Sequence, residues 1–224
     1  LNMSFGKNLQ YFRKLSGNMT QEALAEKLNV SRQTISKWEM DAANPEMEKA
    51  LEICKIFNCS LDNLFKDEMD NQSDSYSNLR LEEVPGFRYV EHTVISTEPE
   101  SDVIGKMYRL AKENGIEAPR VIGWDFPNLS QEQINVFNMH GYTAALILPD
   151  GVAPEDCKIK EQPAHKYAAI HVDRPFENPF VTIPGAYQTL GDFMRTNGLV
   201  QSVEGVIPCF ETDGENMDIF IACR

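Results

Sequence analysis

Apolar residues recur at helical spacing along the first 65 residues of the chain. The pattern predicts five short helices, at residues 5–15, 21–28, 31–39, 45–57 and 61–65. Thr20 and Ser31 stand where a side-chain oxygen can cap the second and third helices. The chain is therefore expected to begin with an all-α, five-helix bundle.

The third helix has two chemically different faces. Ile35 and Trp38 share an arc with Ser31 at about 100° per residue, which predicts that this arc is buried. The opposite arc carries side chains that can hydrogen-bond a base edge or a phosphate oxygen, namely Arg32, Gln33, Ser36 and Lys37. An amphipathic helix with a solvated polar face has the same pattern, so both interpretations stay open on the pattern alone.

The segments TQEALAEKL, SRQTISKWE and PEMEKALEICKIFNCSLDNLF, behind a first helix at Leu9–Leu15, resemble the Cro/phage-repressor (XRE) type of helix-turn-helix. The resemblance implies a DNA-binding head over residues 1–66. It implies that Gln21 contacts a phosphate and braces the third helix, whose outward face enters the major groove. The DNA-binding residues that follow from it are Gln21, Ser31, Arg32, Gln33, Thr34, Ser36 and Lys37.

Residues 67–83 are acidic and rich in Ser and Asn, and their apolar residues are sparse. This composition predicts a linker between two domains. A regulatory helix around residues 79–84 is the alternative.

The rest of the chain repeats one order of elements twice. The first copy is predicted as a strand at 87–95, a helix at 99–114 and strands at 120–126 and 142–149. The second is predicted as a strand at 165–172, a helix at 184–197 and strands at 205–211 and 217–224. Both helices begin near a proline and end in Asn-Gly. The pattern predicts an α+β domain of two βαββ units over residues 84–224.

The runs YAAIHV, IPGAYQTLGDFMRTNG and GVIPCFETDGENMDIFIAC resemble the gyrase-inhibitor-like (GyrI-like) effector-binding domain. The resemblance implies a pseudo-twofold domain whose halves enclose a cleft for a cationic, lipophilic ligand. Glu211 matches the acidic position of the family, whereas Asp218 stands where Glu is more usual and is one methylene shorter.

Aromatic side chains from several elements could form the walls of such a cleft. A cation gains about 0.5–2 kcal/mol from each well-placed ring, although core packing is the alternative for every ring. The ligand-binding candidates are Trp124, Phe126, Tyr142, Tyr167, Tyr187, Phe210, Glu211 and Asp218.

The formal charge of −13 is distributed unevenly along the chain. Residues 1–66 hold 9 Lys and Arg against 8 Asp and Glu, whereas residues 67–224 hold 12 against 26. A near-neutral head would bind DNA through a few Lys and Arg side chains that are directed at the phosphates. A homodimer with two heads ~34 Å apart would supply the remaining affinity by reading a near-palindromic operator. The acidic second part favours a cationic effector.

Several other classes of protein lack support in the sequence. The absence of a long apolar run and of a leader predicts a cytoplasmic protein. Five cysteines without a C-x-x-C pair indicate neither a disulfide framework nor a zinc site, and no cofactor is expected.

No arrangement of catalytic residues can be assembled from the known motifs either. A ligand-responsive transcriptional regulator is therefore expected. The alternatives are a hydrolase with Glu211 as general base beside Tyr142 or Tyr167, and a constitutive DNA-binding protein with an assembly domain.

Overall fold

The computed structural model describes residues 5–65 and 75–224. A helical region comes first and an antiparallel sheet with helices follows, so the chain is α+β as predicted. Contacts divide it into two compact units, one of residues up to 79 with 178–200 and one of residues 80–177 with 201–224. Among the described residues, no helix is long and apolar enough to cross a membrane.

The described helices and strands follow one another along the chain in the order given next. They are α1 (Phe5–Leu15), α2 (Gln21–Leu28), α3 (Arg32–Glu39), α4 (Met47–Phe57), α5 (Leu61–Phe65), β1 (Tyr76–Val84), β2 (Phe87–Ser96), α6 (Pro99–Glu113), β3 (Arg120–Asp125), α7 (Gln131–Asn135), β4 (His140–Leu148), β5 (Lys160–Gln162), β6 (His165–Val172), α8 (Pro179–Thr196), β7 (Cys209–Thr212) and β8 (Met217–Ala222).

Local signals start and end the helices of the first unit. The predicted N-caps are confirmed, because Thr20 Oγ1 accepts from the Ala23 amide and Ser31 Oγ accepts from the Thr34 amide, each at 3.1 Å. Asn29 ends α2 in the left-handed conformation at φ 52°. Inward-facing apolar side chains form the core, and the largest that are fully buried are Phe5, Leu9, Phe12, Leu24, Leu28, Ile35, Ile53, Phe57 and Leu64.

The described strands form one antiparallel sheet with the order β1-β6-β8-β7-β3-β4-β2-β5. Strands β3 and β7 pair at its centre, where Gly123 stands opposite Glu211. Successive side chains alternate between the two faces of a sheet. We call the face with Tyr167, Phe210 and Phe220 the aromatic face.

The opposite face of the sheet is covered by α6. Its buried cluster joins Val103 and Met107 of α6 to Tyr142, Ala144 and Leu146 of β4. We call it the α6 face. The two faces separate residues that are neighbours in the sequence.

Several segments differ from the sequence prediction. Residues 76–84, in the predicted linker, form strand β1, and residues 67–74 lie outside the described residues. β1 is an edge strand held by backbone hydrogen bonds, so it needs few buried side chains and leaves a weak apolar pattern.

Helix α8 begins at Pro179 rather than at the predicted Pro184, which lies inside it. A proline in a helix interior removes one i→i−4 hydrogen bond, but Pro179 takes the favourable first-turn position. Helix α7 and strand β5 are too short to produce a clear period and were not expected.

Candidate functional site

The outward face of α3 is a row of polar side chains. Arg32, Gln33 and Lys37 are exposed, and Thr34 and Ser36 are half-buried. On the opposite side Ile35 and Trp38 are 0% and 5% exposed, as the helical spacing predicts. Ser31, predicted on the buried arc, is instead exposed at the N-cap, where its hydroxyl also lies 2.9 Å from that of Thr34.

The end of α3 is fixed to the two preceding helices by one carboxylate. Arg13 of α1 donates through Nε and Nη2 to the two oxygens of Glu39, at 2.5 and 3.0 Å. Gln21 Nε2 of α2 donates to the same carboxylate at 2.8 Å. Both charged side chains are largely buried, at 12% exposed for Arg13 and 4% for Glu39.

This network was missed in the sequence, because no local pattern links residues 26 positions apart. It gives Gln21 the bracing contact with α3 that the resemblance implies. Backbone packing adds to it, since a Cβ on Gly6 of α1 would lie 2.6 Å from the Glu39 carbonyl oxygen. The position of the polar face of α3 therefore depends on α1.

The sheet separates the ligand-binding candidates of the second unit. Tyr167 and Phe210 belong to the aromatic face, and Trp124 packs against them. Asp218 alternates with Ile219 and shares the face of Phe220. Tyr142 and Glu211 lie on the α6 face.

The two remaining candidates lie outside both groups. Phe126 follows the end of β3, where its amide donates to the Gly141 carbonyl at 2.9 Å. Tyr187 lies on α8, in the first unit.

Tyr142 reaches Glu211 by crossing a glycine. Its hydroxyl donates to Glu211 Oε2 at 3.3 Å, although β4 and β7 are separated by β3. The ring passes over Gly123, where a Cβ would lie only 2.4–2.7 Å from ring atoms of Tyr142. The missing side chain at position 123 is therefore what allows the phenol and the carboxylate to meet. Of the two tyrosines considered beside Glu211, Tyr142 makes this contact.

Further carboxylates surround this pair. Burial raises the pKa of Tyr142, and the charges of Glu211, Glu100 and Asp125 raise it further. Burial also raises the pKa of Glu100, with added repulsion from Asp125 and Asp213. We call Glu100, Asp125, Glu211 and Asp213 the carboxylate cluster.

Tyrosine side chains lie beside the cluster. Tyr108 donates to Asp213 at 2.6 Å, and this bond is the largest cause that raises the tyrosine pKa to about 12. No ion pair among the described residues joins Glu100, Asp125 or Asp213 to Lys or Arg. Three of the four carboxylates, Glu100, Asp125 and Asp213, therefore lie in this cluster without an ion-pair partner in the described part of the chain.

The aromatic face has a different character. Phe210 and Phe220 stack at 4.6 Å, and the Tyr167 ring meets Phe210 edge-on at 5.2 Å. Tyr167 is fully buried and donates its hydroxyl to the Ile207 carbonyl at 2.9 Å. A cavity of about 250 Å³ opens beside Phe87, Phe210 and Phe220.

Asp218 is already engaged within the chain. Its carboxylate accepts from Arg80 Nη2 at 3.1 Å and lies 2.6 Å from His171 Nδ1. These contacts use both oxygens, so Asp218 has less capacity for a ligand than a carboxylate without such partners.

Comparisons with known proteins agree with the character of the first unit. The helix-turn-helix family model matches residues 9–64. The transcriptional activator BcrR of Enterococcus faecalis is 46% identical over 66 residues, which cover 30% of this chain and 32% of BcrR. This chain thus spans about a third of the length of that relative.

Two further proteins resemble the chain. An uncharacterised HTH-type transcriptional regulator of Methanocaldococcus jannaschii is 44% identical over 62 residues, covering 28% of this chain and 92% of the relative. The cryo-EM structure of an EcmrR–DNA complex aligns with a TM-score of 0.47 and 14% identity, over 91% of this chain and 81% of the EcmrR chain. The two sequence relatives are named as regulators of transcription, not as enzymes. The chain belongs to the helix-turn-helix family of transcriptional regulators.

Proposed function

We propose that the protein is a ligand-responsive, sequence-specific DNA-binding regulator. A five-helix head reads the operator, and a GyrI-like domain of two βαββ repeats binds a lipophilic cation. The polar face of α3 supports the DNA-binding part of the proposal. The carboxylate cluster beside Tyr142 is the observation that supports the ligand-binding part.

The polar face of α3 suits direct readout of bases. Arg32 and Gln33 are exposed near the N-terminus of the helix, the part of a recognition helix that contacts base edges. Ser36 and Lys37 follow one turn later, within reach of the sugar–phosphate backbone of the DNA. Gln21 stands at the start of α2, with its amide held by Glu39. A homodimer that binds a near-palindromic operator fits a head with so little net charge.

The carboxylate cluster suits a cationic effector. Burying negative charge without a compensating cation is costly, and a bound cation removes that cost. The Tyr142 ring adds an aromatic face, worth about 0.5–2 kcal/mol to a cation that stacks on it. A lipophilic monocation therefore matches the charge of the cluster and the aromatic ring beside it.

Variants of α3 test the DNA-binding part. Arg32→Ala and Gln33→Ala should each cost about 1–3 kcal/mol of discrimination between a selected operator and scrambled DNA. Gln21→Ala should weaken both DNAs about equally, and Lys55→Ala, an exposed cation on α4, is the matched control. Mobility shifts in which Arg32→Ala keeps wild-type preference for the operator would show that α3 is not the reading element.

Calorimetric titration with tetraphenylphosphonium tests the ligand-binding part. Micromolar binding is expected, and Glu211→Gln should weaken it by about 1–3 kcal/mol because a charge is removed from a desolvated contact. Glu155→Gln, at an exposed position, is the matched control. Neutral triphenylphosphine oxide should be insensitive to Glu211→Gln. Equal cation affinity in the wild type and in Glu211→Gln would show that this carboxylate does not contact the cation.

A further inference from the structure

The two ends of the eight-stranded sheet are brought together by short links. β1 and β2 stand at the first and seventh places of the strand order, and β6 and β5 at the second and eighth. In a flat sheet with strands ~4.8 Å apart, six spacings would separate each pair by ~29 Å. Yet β1 passes into β2 from Val84 to Phe87, and β5 passes into β6 from Gln162 to His165. Three residue steps span at most ~11 Å, so the sheet curls until its two ends meet.

Backbone and side-chain contacts hold this curl closed. The two links touch, because a Cβ on Gly86 would lie 3.0 Å from the Gln162 carbonyl oxygen and 3.1 Å from the Ala164 amide nitrogen. Gln162 is 3% exposed and donates through Nε2 to the Tyr167 hydroxyl at 3.2 Å. Its Oε1 accepts from the Ile207 amide at 2.8 Å. A buried amide group is costly to separate from its partners, so the curl is a fixed feature of the second unit.

The aromatic face is the inner surface of the curled sheet. Its buried cluster joins Val84 of β1 to Tyr89 of β2, although these strands stand near opposite ends of the strand order. Strands so far apart in a sheet share a cluster only across the inside of the curl. The α6 face, with Tyr142 and Glu211, is therefore the outer surface of the same sheet.

The cavity of about 250 Å³ lies on this inner surface. Its apolar lining includes three aromatic rings and three aliphatic side chains, namely Val84, Phe87, Ile122, Ile147, Phe210 and Phe220. Phe210 and Phe220 stack with 15° between their planes and provide a flat wall. An engineered apolar cavity of ~150 Å³ stays dry and binds benzene, so the larger cavity suits two fused aromatic rings.

Charged groups of both signs lie around the cavity. Glu82, Asp213 and the exposed Arg120 belong to its lining. The Arg80 guanidinium carbon lies 5.6 Å from the centroid of the Phe220 ring. A cationic ligand would therefore meet Arg80 and Arg120. An anionic ligand would meet Glu82 and Asp213. Like charges that are brought together at a binding surface weaken the complex, so these surroundings select a neutral ligand.

We infer that the inside of the curled sheet is a second binding site, which takes a small, neutral, fused-ring aromatic molecule. It is separate from the proposed effector site, because Phe210 and Glu211 are neighbours on β7 and point to opposite faces of the sheet. Tetraphenylphosphonium has four rings and a positive charge, so it exceeds the cavity and is repelled by the arginines. The inference goes beyond the proposed function, since neither site requires the other.

Calorimetric titration of the full chain with indole, a neutral fused-ring probe, tests the site. Saturable binding to one site with a dissociation constant of ~1 mM or below is expected. Saturating tetraphenylphosphonium should leave this constant within about twofold of its value without the cation, as for two sites that are not coupled. Indole-3-carboxylate and tryptamine carry opposite charges on the same ring system, and each should bind at least ~5-fold more weakly than indole.

Substitutions in the lining test where indole binds. Val84→Phe places a ring in the cavity and should weaken indole binding at least ~10-fold, whereas Val136→Phe, at a 70% exposed position, is the matched control. Phe87→Leu removes a half-buried ring of the lining and should weaken binding by ~3-fold or more. Phe176→Leu, at a ring that is 52% exposed, should keep the wild-type affinity. Thermal melts would show that each variant is folded.

Nuclear Overhauser effects locate indole in the wild type without any substitution. Indole protons should show these effects to the methyl groups of Ile122 and Ile147, which are 3% and 8% exposed in the lining. Ile134, 39% exposed on α7, should show none.

The outcomes separate this inference from the proposed function. Indole that does not saturate the protein up to its solubility limit, indole that is displaced by tetraphenylphosphonium, or effects to Ile134 in place of Ile122 overturns the second site. Unchanged affinity in both Val84→Phe and Phe87→Leu overturns its location, and equal affinity for a charged analogue overturns the neutral class. Each of these results leaves the proposed regulator standing. Loss of tetraphenylphosphonium binding alone overturns the proposed effector class and leaves the second site standing.

Discussion

The buried Arg13–Glu39 pair provides a quantitative test of how α3 is held. Glu39→Ala removes the carboxylate that accepts two bonds from Arg13 and one from Gln21. The guanidinium of Arg13 then stays in a site where it is only 12% exposed, without its counter-ion. Breaking a buried ion pair by removing one partner typically costs about 3–5 kcal/mol.

This cost is large beside the stability of a domain, which is roughly 5–15 kcal/mol. Glu39→Ala should therefore unfold the head at a clearly lower urea concentration. Glu26→Ala, at an exposed position on α2, should change the free energy of unfolding by no more than about 0.5 kcal/mol. Replacing both partners with apolar residues, as in Arg13→Met with Glu39→Leu, should recover most of the loss because no uncompensated charge remains.

Urea denaturation followed by tryptophan fluorescence measures the effect. The chain has two tryptophans, Trp38 in the head and Trp124 in the second unit, so a Trp124→Phe background makes the signal specific for the head. A Glu39→Ala midpoint as close to wild type as that of Glu26→Ala would refute the reasoning that this pair holds α3.

Three further predictions concern the core of the head and the effector site. Trp38→Ala should lower the free energy of unfolding of the head by about 3–5 kcal/mol, because the indole is 5% exposed. The head should then lose its cooperative thermal transition in circular dichroism, and DNA binding with it. An unchanged melting midpoint would contradict this. Gly123→Ala should push the Tyr142 ring off its place and lower cation affinity in calorimetry by about 0.5–2 kcal/mol, and unchanged affinity would contradict the role of the ring. Cation affinity should fall as the pH is lowered, because the raised pKa of Glu100 lets this carboxylate take up a proton above the range near ~4.3 in which an ordinary glutamate does so. Glu100→Gln should flatten this pH profile, and an equally steep profile would contradict the assignment.

Local signals account for what the sequence predicted well. The caps at Thr20 and Ser31 and the buried arc of Ile35 and Trp38 depend only on residues within one or two turns. The same holds for α6, which begins at a proline and ends before Asn114 and Gly115. Such elements are determined by their own side chains and change little with tertiary context.

The arrangement of the candidate site depends on contacts between strands. Phe210 and Glu211 are neighbours on one strand and therefore face opposite sides of the sheet, a signal that the alternation of strand residues already contains. The meeting of Tyr142 and Glu211 also needs the register that sets Gly123 opposite Glu211. Periodicity in one strand does not contain that register.

Long-range contacts of the head could not be predicted from the sequence, for a similar reason. The Tyr11 hydroxyl donates to Asp192, 181 positions further along the chain, and each residue alone has the pattern of an ordinary amphipathic helix residue. The repeat of βαββ units predicted α8 as a counterpart of α6, yet its contacts place it with the helix-turn-helix. Helical period identifies a buried face but not the partner that covers it.

The most direct test of the central claim is the linkage between effector and operator. Fluorescence anisotropy of the full chain on its selected operator would be measured with and without saturating tetraphenylphosphonium, at one fixed salt concentration. We predict that the cation changes the dissociation constant for the operator by at least ~5-fold, as expected for allosteric coupling between two sites. The same dissociation constant in both conditions, with the cation shown to be bound, would contradict a ligand-responsive regulator.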